Sequence, residues 1–341
     1  MSEQSTSAEV VGFENVPIRP RRIAVLTAGG DAPGMNAAIR AVIRSAAAAR
    51  IDIIGVRRGY EGLIEDRFES MTGRGVANIL QRGGTVLETS RSEEFRRPSG
   101  RARALQNLRD RNVEGLVVIG GEGALQGATV FHRETGLPLM LVPASIDNDV
   151  PGTEYAIGFD TAVNTAIDAI DKVRDTMFAF ERVFCIEVMG RDSGFIGLSV
   201  AIGAGAEAVV VPEIPLNMDD LCRRVEEARQ RGKQASIIVV SEGPRTGGVI
   251  PIADQLEHRL GIKSRIVVLG HIQRGGSPSA RDRLLASRMG AEAVGALAEC
   301  SPASVIGEER GEIVRTPLDH LHERQRRLDT SLIDLVYQLS I

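Results

Sequence analysis

The sequence predicts an α/β protein of two domains, each a mostly parallel sheet covered by helices. Short apolar runs alternate with longer stretches of helical period, the pattern of buried parallel strands joined by crossover helices. At 341 residues the chain exceeds the usual size of one domain. Its apolar fraction of 43% is ample for a core, but with 4% aromatics and no Trp that core must rest on Val, Ile, Leu and Ala.

Residues 1–20 begin polar, lack the apolar centre of a signal peptide, and are expected to form a disordered extension. Residues 23–26 make the first strand, broken by Gly29-Gly30, and residues 36–49, rich in Ala and Ile, make a helix. Residues 53–56 are a second strand, and residues 76–80 start a short helical stretch. Residues 115–119 form a strand ending at Gly120-Gly121, with a helix opening near Leu125, and residues 139–143 are a strand feeding an acidic loop. The clearest helix is 161–177, where Val163, Ile167, Ile170 and Val173 share one side. Asp168, Asp171, Lys172 and Asp175 fall mainly elsewhere on it and read as solvated surface.

Strands at 183–188, 208–211, 236–240 and 265–269 follow, with helices at 219–231 and 280–298. The segment from about Arg310 is expected to return to the earlier domain. The division expected is a first domain of 21–158 plus about 305–341, and a second of 159–304.

A net charge of −4 argues against a nucleic-acid partner. Cys185, Cys222 and Cys300 lie far apart without metal-ligand spacing, which suits a reducing cytoplasm. No apolar run reaches membrane-spanning length, so no membrane partner is expected.

The chemistry concentrates in loops after strands. Asp147-Asn148-Asp149 sets two carboxylates one residue apart, a division of labour in which one takes a hydroxyl proton and the other helps hold magnesium. That points to phosphoryl transfer onto an alcohol. The run from Thr27 to Asn36 places Gly29 and Gly30 between a strand and a helix, where backbone N–H groups can approach phosphate oxygens. It is neither a Walker A loop nor a GxGxxG fingerprint, and by itself it is a modest signal, with a tight turn without a ligand as the alternative. Gly120-Gly121-Glu122-Gly123-Ala124 repeats the device, with Glu122 as an oxygen ligand for nucleotide-bound magnesium.

Arg182, Met189-Gly190-Arg191, Glu242, Arg265 and the run from Gly270 to Gly276 contribute anion-binding groups at strand ends. Each Arg alone is more often a surface residue, and His271 alone a neutral structural hydrogen-bonder. Their grouping at strand ends carries the binding reading.

Together, residues 27–36, 120–123, 145–153, 189–191 and 269–278 resemble the bacterial 6-phosphofructokinase family, in matching order from about Arg22 through at least Ala298. Lipid and NAD kinases share a similar glycine loop but lack the Ile-Asp-Asn-Asp and Gly-His-Ile-Gln-Arg-Gly-Gly segments. The resemblance implies phosphoryl transfer from ATP to the 1-hydroxyl of fructose 6-phosphate, with Mg2+. It assigns Asp147 as general base and places Ser145 and Asp149 beside the transferring group, with Asp149 assisting the metal. Gly30, Arg91, Ser92, Glu122, Gly123 and Ala124 match donor positions. Arg182, Met189, Gly190, Arg191, Glu242, Arg265, His271 and Arg274 match sugar-phosphate contacts. Arg182 and Arg265 reach a neighbouring subunit's site in the family, implying a homotetramer with shared active sites.

Departures bear on donor and control. Pyrophosphate-using relatives commonly carry Asp at the position of Gly123 and Lys at that of Ala144; this chain has neither, which favours ATP. Glu122 stands where Asp is more frequent. The alternatives are a pyrophosphate-dependent enzyme and, from another class, a non-catalytic sugar-phosphate sensor. Arg40, Arg44, Arg174, Glu207 and Lys233 match effector positions, but Gly73 replaces a common Arg, and Gln234-Ala235 replace a Lys-His pair.

Overall fold

The computed structural model describes residues 19–177, 182–233, 235–321 and 326–340. Residues 1–18 of the expected extension lie outside them, as do Gln234 and the side chain of Arg182. The strands are β1 (Arg22–Ala28), β2 (Asp52–Val56), β3 (Phe68–Ser70), β4 (Gly115–Gly120), β5 (Leu139–Pro143), β6 (Arg182–Val188), β7 (Ala208–Val210), β8 (Ala235–Ser241), β9 (Ser264–Val268), β10 (Ser304–Glu309) and β11 (Glu312–Pro317). The helices are α1 (Met35–Ala48), α2 (Gly59–Ile64), α3 (Pro98–Asp110), α4 (Glu122–Thr135), α5 (Phe159–Met177), α6 (Phe195–Gly203), α7 (Met218–Gln230), α8 (Val249–Leu260), α9 (Ala280–Ala298) and α10 (Ser331–Leu339).

Seven strands form the first sheet, in the order β11-β10-β5-β4-β1-β2-β3, and four form the second, in the order β7-β8-β6-β9. β1 lies parallel between β2 and β4, pairing Ile23 with both Ile53 and Gly115. Covered on both faces, β1 and β4 are near-continuous apolar runs. β3 and β11 close the first sheet antiparallel, whereas every pairing in the second is parallel.

One apolar cluster passes from Ile23 and Val25 through Ile146 and Ile157 to Ile186 and Val188, so the two lobes share a core. A second cluster, around Leu26 and Leu116, lies on the other face of the first sheet. The C-terminal ends of β1, β4 and β5 and of β6 carry the loops that line the cleft between the lobes.

Several expectations need correction. Residues 76–80 are turns, not helix. Glycines at 73, 75, 83 and 84 flank the stretch. Asn36 anchors the chain just beyond it, donating to the carbonyls of Arg82 (3.0 Å) and Gly83 (3.1 Å) and accepting from Val86 N–H (2.7 Å).

α9, expected in the second domain, packs on α1 of the first lobe. Gly290 permits this approach, since a Cβ there would lie 2.8 Å from Ala41 Cβ and 2.9 Å from the Ala38 carbonyl. The C-terminal segment divides. β10 and β11 join the first sheet, whereas α10 packs beside α6, with Arg224 3.3 Å from the centre of the Tyr337 ring.

Candidate active site

The acidic loop is built by its own side chains. After β5, Ala144 bridges Ile157, and the Ser145 N–H donates to the Ile157 carbonyl at 3.0 Å. Asn148 takes left-handed φ (55°), a conformation Asn tolerates better than most residues. Its side chain accepts the Ala156 N–H at 2.8 Å and donates to the Glu154 carbonyl at 3.3 Å, closing the loop on itself.

The Ser145 hydroxyl knits the two carboxylate residues together. It accepts the Asp147 N–H at 3.2 Å and donates to Asp149 Oδ1 at 3.2 Å. Asp147 is buried, and its Oδ1 has no hydrogen-bond partner among the described residues. Its Oδ2 lies 3.9 Å from Arg191 Nε. Burial, reinforced by the neighbouring Asp149 charge, pushes the Asp147 carboxyl up to about 6, while Arg191 and Arg274 pull the other way. A carboxylate with a bare oxygen and a pKa near neutrality is suited to accept a proton.

Opposite stands the glycine wall. Gly29 has φ 90°, and Thr89 donates to its carbonyl at 2.7 Å. Arg274, from the loop after β9, crosses to this wall, donating to the Asp31 carbonyl at 3.3 Å. A Cβ on Gly30 would come within 2.5 Å of the Arg274 Nη1, so the bare backbone makes room for that guanidinium. Glu122 opens α4, whose N-terminal dipole and free N–H groups favour an anion. Deeper in the wall Tyr60 stacks on Phe95 with ring centres 4.1 Å apart and donates to the Ala124 carbonyl at 2.6 Å.

These parts surround a cleft of about 880 Å3. The candidate donor residues Gly30, Arg91, Ser92, Glu122, Gly123 and Ala124 all line it. So do Ser145, Asp147, Asp149, Arg191 and Arg274. Tyr60, Phe95 and Gly127 line it as well and were not foreseen. Gly127 stands one turn along α4 from Gly123, a pair of bare positions on one helix face that could have marked the wall. A Cβ there would lie 2.8 Å from the Tyr60 ring.

The other sugar-phosphate candidates on described residues are not in the lining of this cleft. Met189 and Gly190 are buried at the end of β6, where φ of 146° and the Ser193 carbonyl, 2.4 Å from a would-be Cβ, demand glycine at 190. Glu242 accepts the Arg191 N–H at 3.4 Å. Arg265 and His271 are exposed along the open edge of the second sheet, beside exposed Ile266, Val268 and Ile272.

Among the effector candidates, Lys233 donates to Glu207 at 3.3 Å and to the Ser340 carbonyl, and Arg174 donates to the Ala204 carbonyl. Arg40 and Arg44 sit on α1 without an ion pair among the described residues.

No group of three or more potential metal ligands occurs among the described residues. The fit for magnesium is nonetheless good. It binds through one or two carboxylates plus substrate phosphates, and Glu122 and Asp149 line one cleft.

A family model described as phosphofructokinase matches residues 22–297. The chain is 50% identical over 321 residues to the ATP-dependent 6-phosphofructokinase 1 of Thermus thermophilus, covering 94% of this chain and 100% of that one. It is 47% identical over 320 residues to the ATP-dependent 6-phosphofructokinase of Thermotoga petrophila, with the same coverage. Among solved structures, Pichia pastoris phosphofructokinase in the T-state superposes with a TM-score of 0.83 at 35% identity, covering 88% of this chain. This chain spans only 35% of the Pichia chain's length.

Proposed function

The chain belongs to the phosphofructokinase family, and we infer that it transfers the γ-phosphoryl group of ATP to the 1-hydroxyl of fructose 6-phosphate. The observation that carries this reading is Asp147, buried, with one oxygen unpartnered and its pKa raised to about 6, in a cleft shared with the glycine wall.

Asp147 accepts the hydroxyl proton as the new oxygen–phosphorus bond forms and the bond to the departing ADP oxygen breaks. Arg191 and Arg274 hold positive charge over the same space and stabilise the transferring phosphoryl oxygens. Ser145 fixes the spacing of the two carboxylates. Glu122 and Asp149 would hold magnesium, which when bound offsets phosphate charge. The first lobe serves the donor and the loops of the second serve the sugar phosphate.

Two features favour ATP over pyrophosphate. A Cβ on Gly123 would meet nothing within 4 Å, so the cleft stays open there, and Ala144 adds no charge.

We assign Met189, Gly190, Glu242 and His271 to the sugar-phosphate site, completed by Arg182 and Arg265 of a neighbouring subunit in a homotetramer. The exposed edge at Arg265, Ile266 and Val268 supports a subunit contact there. Arg40, Arg44, Arg174, Glu207 and Lys233 stay an effector candidate, one in which Lys233 is already engaged. No helix among the described residues is long and apolar enough to cross a membrane. Three free cysteines accord with the cytoplasm as the compartment.

The direct test is a coupled assay on purified protein, comparing kcat/KM for ATP and for pyrophosphate. Turnover with ATP preferred is expected. A preference for pyrophosphate overturns the donor assignment, and no turnover with either overturns the reaction.

A further inference from the structure

Glu122, Gln126 and Val130 recur every four residues along α4 and form a ridge. The nucleotide cleft lines one side of it, and a second cavity of about 800 Å3 the other. Arg191 and Asp149 also border both. Of the sugar-phosphate candidates on described residues, only Arg191 borders the second cavity, so it is not simply the far end of that site.

The chemistry of this cavity is distinctive. Arg326 lies with its guanidinium carbon 4.6 Å from the centre of the Phe195 ring and donates through Nη2 to the Glu154 carbonyl. Its Nη1 is shielded from solvent and has no hydrogen-bond partner among the described residues. Burial pulls its pKa down to about 10, which still leaves it charged at neutral pH. A buried guanidinium N–H without an acceptor is costly, and an anion relieves that cost.

Arg245 and Arg327 line the same space, as do Leu318, Leu321 and Leu328. Of the carboxylates present, Glu122 and Asp149 belong to the border shared with the cleft, and Glu213 accepts the Gly194 N–H at 2.9 Å. Glu213 keeps its charge in that bond, so beyond the shared border Asp192 and Glu213 face three arginines, Arg245, Arg326 and Arg327.

We propose that this cavity binds an organic phosphate ester, its phosphoryl group held by Arg326 and Arg245 and its planar or apolar body laid against the leucines. The guanidinium supplies paired donors for phosphate oxygens, and the leucine wall supplies the surface an inorganic ion would not use. Its border with Arg191 and Asp149 gives an occupant a route to the reaction.

The test is calorimetric titration of the full-length enzyme with phenyl phosphate. Fructose 6-phosphate, magnesium and a non-hydrolysable ATP analogue are held at saturation so that both substrate sites are filled. One equivalent per chain is expected to bind. Arg326→Met should weaken binding roughly tenfold or more, and Arg245→Ala, at an exposed position that disturbs no packing, about threefold or more. Inorganic phosphate should bind roughly tenfold more weakly than phenyl phosphate for want of the apolar body. No binding with both substrate sites filled, or binding unchanged in Arg245→Ala, overturns the proposal. Equal binding of inorganic phosphate overturns the assignment of an ester with an apolar body.

Discussion

The hydroxyl of Ser193 lies 2.8 Å from the main-chain carbonyl of Asp147 and donates to it, joining the loop after β6 to the loop after β5. The same oxygen stands 3.1 Å from the Gly190 carbonyl, so its single proton is shared between two acceptors. Ser193 thus ties the loop carrying Arg191 to the backbone of the candidate base, from one lobe to the other.

Removing that tie in Ser193→Ala leaves the Asp147 carbonyl without this donor, a loss of about 1–3 kcal/mol when buried. With part of it felt in the position of Asp147, kcat should fall about three- to tenfold. Steady-state kinetics with the substitution decides it; an unchanged kcat means the lobes are held in register by other contacts.

Asp147→Asn keeps the shape of the side chain and removes its ability to accept a proton. Turnover should drop about a hundred- to ten-thousand-fold, while fructose 6-phosphate binding, read by equilibrium titration, persists. Near-normal turnover would exclude Asp147 as the base.

The raised pKa of Asp147 has two consequences with opposite signs. Activity requires the ionised form, so kcat/KM should rise with pH through about 6. Folding prefers the protonated form, so stability is lost as pH climbs from the ordinary carboxylate value of 3.8 to about 6. At pH 8 the penalty is about 3 kcal/mol, and Asp147→Asn should therefore melt higher than the unmodified protein, with the gap closing near pH 4. A sugar phosphate also titrates near pH 6, so the sharper kinetic test is Arg191→Gln. Losing that cation should move the rising limb to higher pH. A limb that stays in place would assign it to the substrate.

Gly123→Asp should raise the KM for ATP without lowering the melting temperature. A Cβ at that position meets nothing within 4 Å, so the fold accommodates the side chain, while its carboxylate projects where the donor phosphates belong. A loss of thermal stability matching the loss of ATP use would point instead to damage in α4.

Mixed assemblies test whether sites are shared. Arg265→Ala chains combined with Asp147→Asn chains should recover activity, because some hybrid sites contain neither lesion. Verified mixed oligomers with no recovery would confine each site to one chain.

Sequence reasoning located the loops better than the supports. Asp147, the glycine runs and Arg274 stand in short, polar or glycine-rich breaks after apolar runs, and the strand ends carry them to one cleft. α3 escaped notice because Arg101, Arg103 and Arg109 dilute an apolar face made of little more than Ala104, Leu105 and Leu108. α6 is apolar on nearly every side, so it has no period to find. The β10–β11 hairpin turns on Arg310 and Gly311, both at positive φ, and an arginine is a poor herald of such a turn. Tyr60 and Ser193 act through contacts 64 and 46 residues away in sequence, which no local pattern encodes.

The return of the chain to its first sheet governs how that lobe can be made. β5 gains its outer neighbour only when β10 arrives, and α1 gains α9 later still than every strand of the second sheet. During synthesis the nascent first lobe therefore waits with one strand edge and one helix face bare until the last sixth or so of the polypeptide emerges. A fragment ending near residue 158 would present that edge as a template for aggregation, and permuting the chain so that 280–317 is translated first should shorten the wait.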